Sequence, residues 1–245
     1  MNGTVRNAPA GGVGVVIVAA GRGERFGAAT KVLAEVGGRP MIAWALDAVA
    51  RTPGIGEVVV VAGAHSERAI RDVIDSGAWA YPVSIVTGGE RRHDSVMAGV
   101  RVLSDRVELV LIHDAARPLV SADLFEACAA SARLHGAAIV AVPVSDTIKR
   151  VRDGAIVDTI PRSELWAAQT PQGFNRKLLL DASARADPGG LDVTDEASLL
   201  ERLGHPVRIV PGSPANLKMT HAEDLVIADA LLRRRAVNSN VVAPR

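Results

Sequence analysis

Val13-Gly14-Val15-Val16-Ile17-Val18-Ala19-Ala20-Gly21-Arg22-Gly23-Glu24-Arg25-Phe26-Gly27 is the stretch on which the fold turns. Its first half is a run of β-branched and small apolar residues with no polar alternation, as expected of a strand in a parallel sheet covered on both faces. Its second half switches abruptly to glycines and cations. A glycine-rich turn at the carboxyl end of such a strand is where open α/β sheets bind their ligands.

Working outward, similar apolar runs recur at residues 57–62, 82–87, 107–113, 137–144 and 206–210. Amphipathic stretches at 40–51, 66–76, 94–104, 121–135, 175–186, 194–203 and 220–235 alternate with them and read as helices. Pro40 suits a first helical position. Ser66, Asp94 and Ser121 suit N-caps, and Thr220 with Glu223 forms a capping-box pattern. The alternation predicts an α/β fold, a three-layer Rossmann-like open sheet, mostly parallel, with right-handed crossovers. One segment departs from it. Between residues 145 and 172, two β-leaning pieces at 147–151 and 155–160 flank Arg152-Asp153-Gly154, whose Asp-Gly pair marks a hairpin. It is too small for a domain and too long for an ordinary connection, so it reads as a projecting β-hairpin arm that pairs with a second subunit.

A length of 245 residues with 48% hydrophobic content supports one core, here residues 13–235 as a single domain between disordered tails at 1–12 and 236–245. With 28 Lys and Arg against 27 Asp and Glu, the net charge is +1, so no global field favours nucleic acid or an acidic membrane surface. The first 12 residues lack the apolar core of a signal peptide, and no apolar run approaches the roughly 20 residues that span a bilayer. The lone cysteine, Cys128, lies in an alanine-rich helix stretch and reads as a small buried hydrophobe. Together these point to a cytoplasmic protein with no membrane or nucleic-acid partner. Any anion site must be local.

The turn after the first strand is that site. Its glycines let backbone N–H groups approach a phosphate, and Arg22, Arg25 and Lys31 add positive charge. It is not the dinucleotide fingerprint, because Phe26 stands where the last glycine would fall, and no Gly-Lys-Ser/Thr makes it a Walker A loop. A second motif, His113-Asp114-Ala115-Ala116-Arg117-Pro118, closes the fourth apolar run; its carboxylate suits a metal or hydroxyl, and its arginine a phosphate. His113 reads as a histidine bonding the local backbone. No His, Cys or carboxylate spacing suggests an all-protein zinc or calcium cage.

Gly-x-Gly-x-Arg followed by Lys31-Val32-Leu33 resembles the nucleotidyltransferase loop that grips a nucleoside triphosphate. Gly88-Gly89-Glu90-Arg91-Arg92-His93-Asp94-Ser95-Val96, the Asp114 motif, Asp146-Thr147-Ile148-Lys149, Thr170-Pro171-Gln172, Thr194-Asp195-Glu196-Ala197-Ser198 and Asn216-Leu217-Lys218-Met219-Thr220 narrow it. With these in order across residues 13–235, the chain resembles the 2-C-methyl-D-erythritol 4-phosphate cytidylyltransferase family. The resemblance implies transfer of CMP from CTP to that sugar-alcohol phosphate, with Mg²⁺ or another divalent cation, in a homodimer joined through the arm. It implies that Arg25, Lys31 and Lys218 are catalytic, and that Ala19, Ala20, Gly21, Gly23, Gly89 and Ser95 join Arg25 and Lys31 around CTP. By the same resemblance, Asp114, Arg117, Lys218, Thr147 and Arg162 meet the acceptor phosphate, the last two from the neighbouring subunit, and Asp114 holds the metal. Thr30, Val32 and Glu90 depart from the family's usual residues but leave the cations intact. Two other readings remain open: the same chemistry on ribitol 5-phosphate, and a nucleotide-binding module without turnover. A nicotinamide oxidoreductase lacks the glycine spacing.

Overall fold

The computed structural model describes residues 12–21, 26, 31–185 and 194–241. In chain order these form β1 (Gly12–Ala19), a short 3-10 turn (Lys31–Leu33), β2 (Glu35–Val36), β3 (Arg39–Pro40), α1 (Met41–Ala50), β4 (Ile55–Ala62), α2 (Glu67–Asp75), β5 (Val83–Thr87), α3 (Arg92–Val102) and β6 (Val107–Asp114). Then follow α4 (Ala122–His135), β7 (Ala137–Pro143), β8 (Ile148–Arg152), β9 (Ala155–Ile160), β10 (Trp166–Asn175), α5 (Arg176–Arg185), α6 (Glu196–Arg202), β11 (Arg208–Pro211) and α7 (Asp224–Val241).

Seven strands make one sheet in the order β11-β7-β10-β6-β1-β4-β5. β1 lies between β4 and β6, parallel to both, with Val15 opposite Val58 on one side and Leu111 on the other. Its side chains sort by parity as a pleated strand requires. Val13, Val15, Ile17 and Ala19 enter the core shared with α1, α2 and α4, while Val16 enters the one shared with α3, α5 and α6. This is the three-layer α/β architecture read from the sequence. α3 packs close to the sheet at Gly99, where a Cβ would come within 2.6 Å of Val16 Cγ1 and 2.8 Å of Val61 Cγ2. α7 packs through Leu225 and Ala228 onto a smaller core with Phe26, Val36, Met41, Leu119 and Met219.

The arm is present. β8 and β9 pair antiparallel as a separate two-stranded sheet. Asp153 (φ 50°) and Gly154 (φ 77°) both take the left-handed backbone that a tight two-residue hairpin turn requires. Val151, Ile156 and Val157 stay in solvent, at 56%, 65% and 54% exposure, while Ile148 and Ile160 at its base are half-buried.

Several expectations need correction. The arm does not extend to residue 172, because Trp166–Asn175 is a sheet strand, antiparallel to both β6 and β7. Its glutamines, proline and glycine carry little β-propensity; the two flanking strands supply what the sequence lacks. Asp94 is not the N-cap of α3. Arg91 holds that position, and Asp94, three residues on, accepts from the Arg91 backbone at 3.2 Å. Pro40 precedes α1 by one residue. Ser66 and Ser121 occupy N-cap positions without a side-chain cap bond. The capping box at Thr220 and Glu223 does not form; α7 starts at Asp224, whose carboxylate accepts from the backbone of Thr220 and His221 at 2.6 and 2.9 Å. α7 also continues to Val241, past the expected boundary at 235, because no glycine or proline interrupts the chain before Pro244. At the other end, Gly12 belongs to β1 and not to the expected tail, and residues 1–11 lie outside the described residues.

Candidate active site

The strand ends open into a cleft of about 820 Å³, large enough for a nucleotide with a small second ligand. Ala19, Ala20 and Gly21 reach it as the chain leaves β1, Gly89 to Arg92 and Ser95 from the start of α3, and Asp114 and Ala116 from the end of β6. Lys31 and Val32 come from the 3-10 turn, and Lys218 and Thr220 from the segment before α7. Among the described residues, four cations line it (Lys31, Arg91, Arg92 and Lys218) against two carboxylates, Glu90 and Asp114. The excess of positive charge suits a polyanion.

Asp114 is the hub. Lys218 Nζ donates to its Oδ2 at 2.7 Å, and Arg92 Nη2 and Nε approach Oδ1 at 3.2 and 3.4 Å. Burial by itself would raise this carboxyl, but Arg92 and Lys218 outweigh burial and hold it well below the usual carboxylate range. Arg92 Nη1 reaches back to Glu196 Oε2 at 2.6 Å. Burial works against the Arg92 charge, and Glu196 and Asp114 reverse that effect, keeping the guanidinium firmly protonated. Lys31 Nζ donates to the carbonyl of Met219 at 2.8 Å, which joins the turn after β1 to the Lys218 segment.

The other wall is narrow backbone. Ser95 Oγ accepts from Gly89 N–H at 3.1 Å. At Gly88 a Cβ would come within 2.6 Å of Ala20 Cβ and 2.7 Å of Ser95 Oγ, so only glycine fits and the chain passes flush against the wall. Next to it, Gly89, Ala20 and Ser95 line the cleft itself.

Of the residues expected from sequence, Ala19, Ala20, Gly21, Lys31, Gly89, Ser95, Asp114 and Lys218 come together here. Gly23 and Arg25 lie outside the described residues. Arg117 does not line the cleft. It is buried, and its Nη1 and Nη2 donate to the carbonyls of Asn216 at 2.8 Å and Ala168 at 3.2 Å, tying the Lys218 segment to β10. Thr147 and Arg162 do not line it either; Thr147 is exposed on the arm and Arg162 Nη1 bonds the Ser145 carbonyl. His113 is fully buried, with Nδ1 2.9 Å from Thr170 Oγ1 and its ring tilted on Phe125, and burial pushes its pKa down to about 4. The Nδ1 partner is a side chain 57 residues away, and the backbone of Arg117, four residues on, also acts on the ring. The Cys128 thiol is buried and pushed up to about 12 by desolvation, consistent with a structural role.

Sequence reasoning missed Arg92 and Glu196. Each stood inside a motif, Arg92 in Gly88-Gly89-Glu90-Arg91-Arg92 and Glu196 in Thr194-Asp195-Glu196-Ala197-Ser198, but nothing in either run shows that they pair across 104 residues. A metal fits Asp114 as a single carboxylate beside phosphate oxygens, the manner in which Mg²⁺ is usually bound. Among the described residues, no group of three or more His, Cys, Asp or Glu could hold a cation on its own. Among them, too, no helix is long and apolar enough to cross a membrane.

Residues 13–234 match the model of the family described as IspD, 2-C-methyl-D-erythritol 4-phosphate cytidylyltransferase. A relative from Gloeobacter violaceus bearing that enzyme's name is 44% identical over 222 residues, covering 89% of this chain and 95% of the relative. The crystal structure of 4-diphosphocytidyl-2C-methyl-D-erythritol synthase from Anaerococcus prevotii superposes with a TM-score of 0.80 at 32% identity, covering 91% of this chain and 98% of that one. The Thermus thermophilus 2-C-methyl-D-erythritol 4-phosphate cytidylyltransferase superposes with a TM-score of 0.76 at 35% identity, covering 91% and 99%. With the sheet, the cleft and the motifs in agreement over nearly the whole chain, this protein belongs to the 2-C-methyl-D-erythritol 4-phosphate cytidylyltransferase family.

Proposed function

We propose that the chain transfers the CMP unit of CTP to 2-C-methyl-D-erythritol 4-phosphate, giving 4-diphosphocytidyl-2-C-methyl-D-erythritol and pyrophosphate. The observation that carries this is the pair of cations, Arg92 and Lys218, held on Asp114 at the strand ends, in a cleft that Lys31 and Gly89 also line. An oxygen of the acceptor phosphate attacks the α-phosphorus of CTP. A new P–O bond forms as the bond to the bridging oxygen breaks, and pyrophosphate leaves with that electron pair. The attacking phosphate has a second pKa of about 6, so near pH 7 it is largely dianionic and needs no general base.

The barrier is repulsion between two polyanions. Each pair of unit charges near 4 Å costs about 4 kcal/mol at an effective dielectric of about 20. Lys31 and Arg25 neutralise the triphosphate and the charge gathering at the α-phosphorus, and Lys218 orients the acceptor phosphate. For Lys31 this requires exchanging the Met219 carbonyl for phosphate oxygens. Gly89 and Ser95 hold the base, with Ala19 and Ala20 beside it. Asp114 would hold Mg²⁺, which when bound adds positive charge on the phosphate oxygens. Arg117 serves the acceptor by fixing the Lys218 segment. Thr147 and Arg162, on an arm whose Val151, Ile156 and Val157 lie in solvent, complete the acceptor site of a partner subunit in a cytoplasmic homodimer.

A pyrophosphate-release assay with CTP, Mg²⁺ and either 2-C-methyl-D-erythritol 4-phosphate or ribitol 5-phosphate tests this. Turnover with the first acceptor is expected to dominate. Preference for ribitol 5-phosphate would replace the substrate, and no single-turnover product with either would remove the activity.

A further inference from the structure

Glu196 lies behind the cleft wall in the first turn of α6 and has no solvent exposure. The helix start is firmly fixed: Asp195 accepts from Ser198 N–H at 2.9 Å and from Gln172 Nε2, on β10, at 2.8 Å. Only one of the Glu196 oxygens has a hydrogen bond, the 2.6 Å contact to Arg92 Nη1. Its Oε1 has none and faces His93 Nδ1 at 3.5 Å, a nitrogen likewise without a hydrogen bond. The other His93 nitrogen is 3.0 Å from Ser183 Oγ.

Stability does not account for this charge. Removing a carboxylate from water costs several kcal/mol, and a well-packed apolar side chain in the same space is often as stabilising or more so. What the carboxylate does is orient a guanidinium. The fork of Arg92 is planar and rigid, so fixing Nη1 fixes the opposite edge. That edge meets only Oδ1 of Asp114, at 3.2 and 3.4 Å, longer than the 2.6 Å bond to Glu196. Oδ2 is left to Lys218, whose side chain is 40% exposed.

We propose that Glu196 is a positioning residue that draws Arg92 back, so that the guanidinium holds one oxygen of Asp114 and leaves the other facing the cleft. This rests on the reading that the cleft takes a nucleotide with a divalent cation. Without the Glu196 charge, Arg92 is free to close a two-bond fork on both oxygens of Asp114, the arrangement arginine and carboxylate favour. The oxygen that meets the cation is then masked.

Electron paramagnetic resonance titration of Mn²⁺, in the presence of the α,β-methylene analogue of CTP, reads this without turnover. Glu196→Gln keeps the shape and removes the charge; it is expected to weaken Mn²⁺ binding roughly 10- to 100-fold, the scale seen when partners behind a ligand are lost. Binding of the analogue without metal stays at the wild-type value. Arg92→Lys keeps a cation for Glu196 but cannot bridge two carboxylates, so the buried charge stays paired and the fold is retained. A lysine drawn to Glu196 gives up the hold on Oδ1 that orients the Asp114 carboxylate, so Mn²⁺ binding is expected to weaken by loss of orientation instead of masking, and adding Glu196→Gln should have no further effect. Wild-type Mn²⁺ binding in Glu196→Gln, or additive losses in the double variant, would overturn the proposal. If Glu196→Gln does not fold, wild-type Mn²⁺ binding in Arg92→Lys overturns it alone. A wild-type protein that binds no Mn²⁺ beyond the analogue's own overturns the underlying metal reading as well, an outcome distinct from equal binding in all variants.

Discussion

Lys218 donates to Oδ2 of Asp114 at 2.7 Å across 104 residues of sequence, closing a ring in which the carboxylate is held by cations on both sides. Removing its charge separates electrostatic capture of nucleotide from catalysis. Asp114→Asn leaves Arg92 and Lys218 without their shared anion, so the cleft becomes more positive. Metal-free CTP is expected to bind at least as tightly as to the wild type, measured by calorimetry, while turnover with Mg²⁺ falls roughly 10²-fold. Equal turnover in variant and wild type would take Asp114 out of the mechanism.

Lys31 reaches the Met219 carbonyl from the turn after β1, so one movement of its ammonium can leave that acceptor and follow the triphosphate. Donors that act mainly in the transition state affect turnover more than affinity. Lys31→Ala is expected to lower kcat by roughly 10² or more with a smaller loss of CTP affinity, and Arg25→Ala to behave alike. Steady-state kinetics with near-normal kcat in both would remove the pair from the reaction.

These two sites were legible for the same reason: glycines, cations and a strand-end aspartate cluster within short runs, and the physics of an anion cradle is local. β1 was legible because nearly every residue favours a strand buried on both faces. β10 was not, since Gln169, Pro171 and Gly173 acquire strand geometry only from β6 and β7 on either side. Arg117 carried the right charge at the right strand end. Sequence did not reveal that its donors turn inward to the carbonyls of Asn216 and Ala168. The Glu196 to Arg92 pair is a tertiary contact with no periodic trace in the chain.

The exposed Val151, Ile156 and Val157 give the arm reason to find a partner surface, and Thr147 and Arg162 lie off their own cleft. If they act across subunits, sites are shared. Mixing inactive Arg162→Ala with inactive Lys31→Ala lets exchanged dimers carry one site with both residues intact. Partial recovery of pyrophosphate release is expected, and no recovery after mass spectrometry has established subunit exchange would assign the arm residues elsewhere.

His113 links the core beneath the cleft to acid sensitivity. Burial beside Phe125 and Thr170 keeps the imidazole neutral down to about pH 4, whereas in the unfolded chain it takes a proton near its ordinary value of 6.5. Between those values the unfolded state binds more protons, so stability rises with pH across the window. The contribution is therefore intact above about pH 6.5 and is progressively lost as pH falls toward 4. The loss comes to roughly 3 kcal/mol in all, since each tenfold change in proton affinity is worth about 1.4 kcal/mol. His113→Asn offers Thr170 a hydrogen-bonding group that does not titrate. Its unfolding free energy, from denaturant titrations at several pH values, is accordingly expected to fall less steeply than that of the wild type between pH 6.5 and 4. Parallel curves for the two proteins would mean that the buried ring carries no such linkage and that other groups govern acid unfolding.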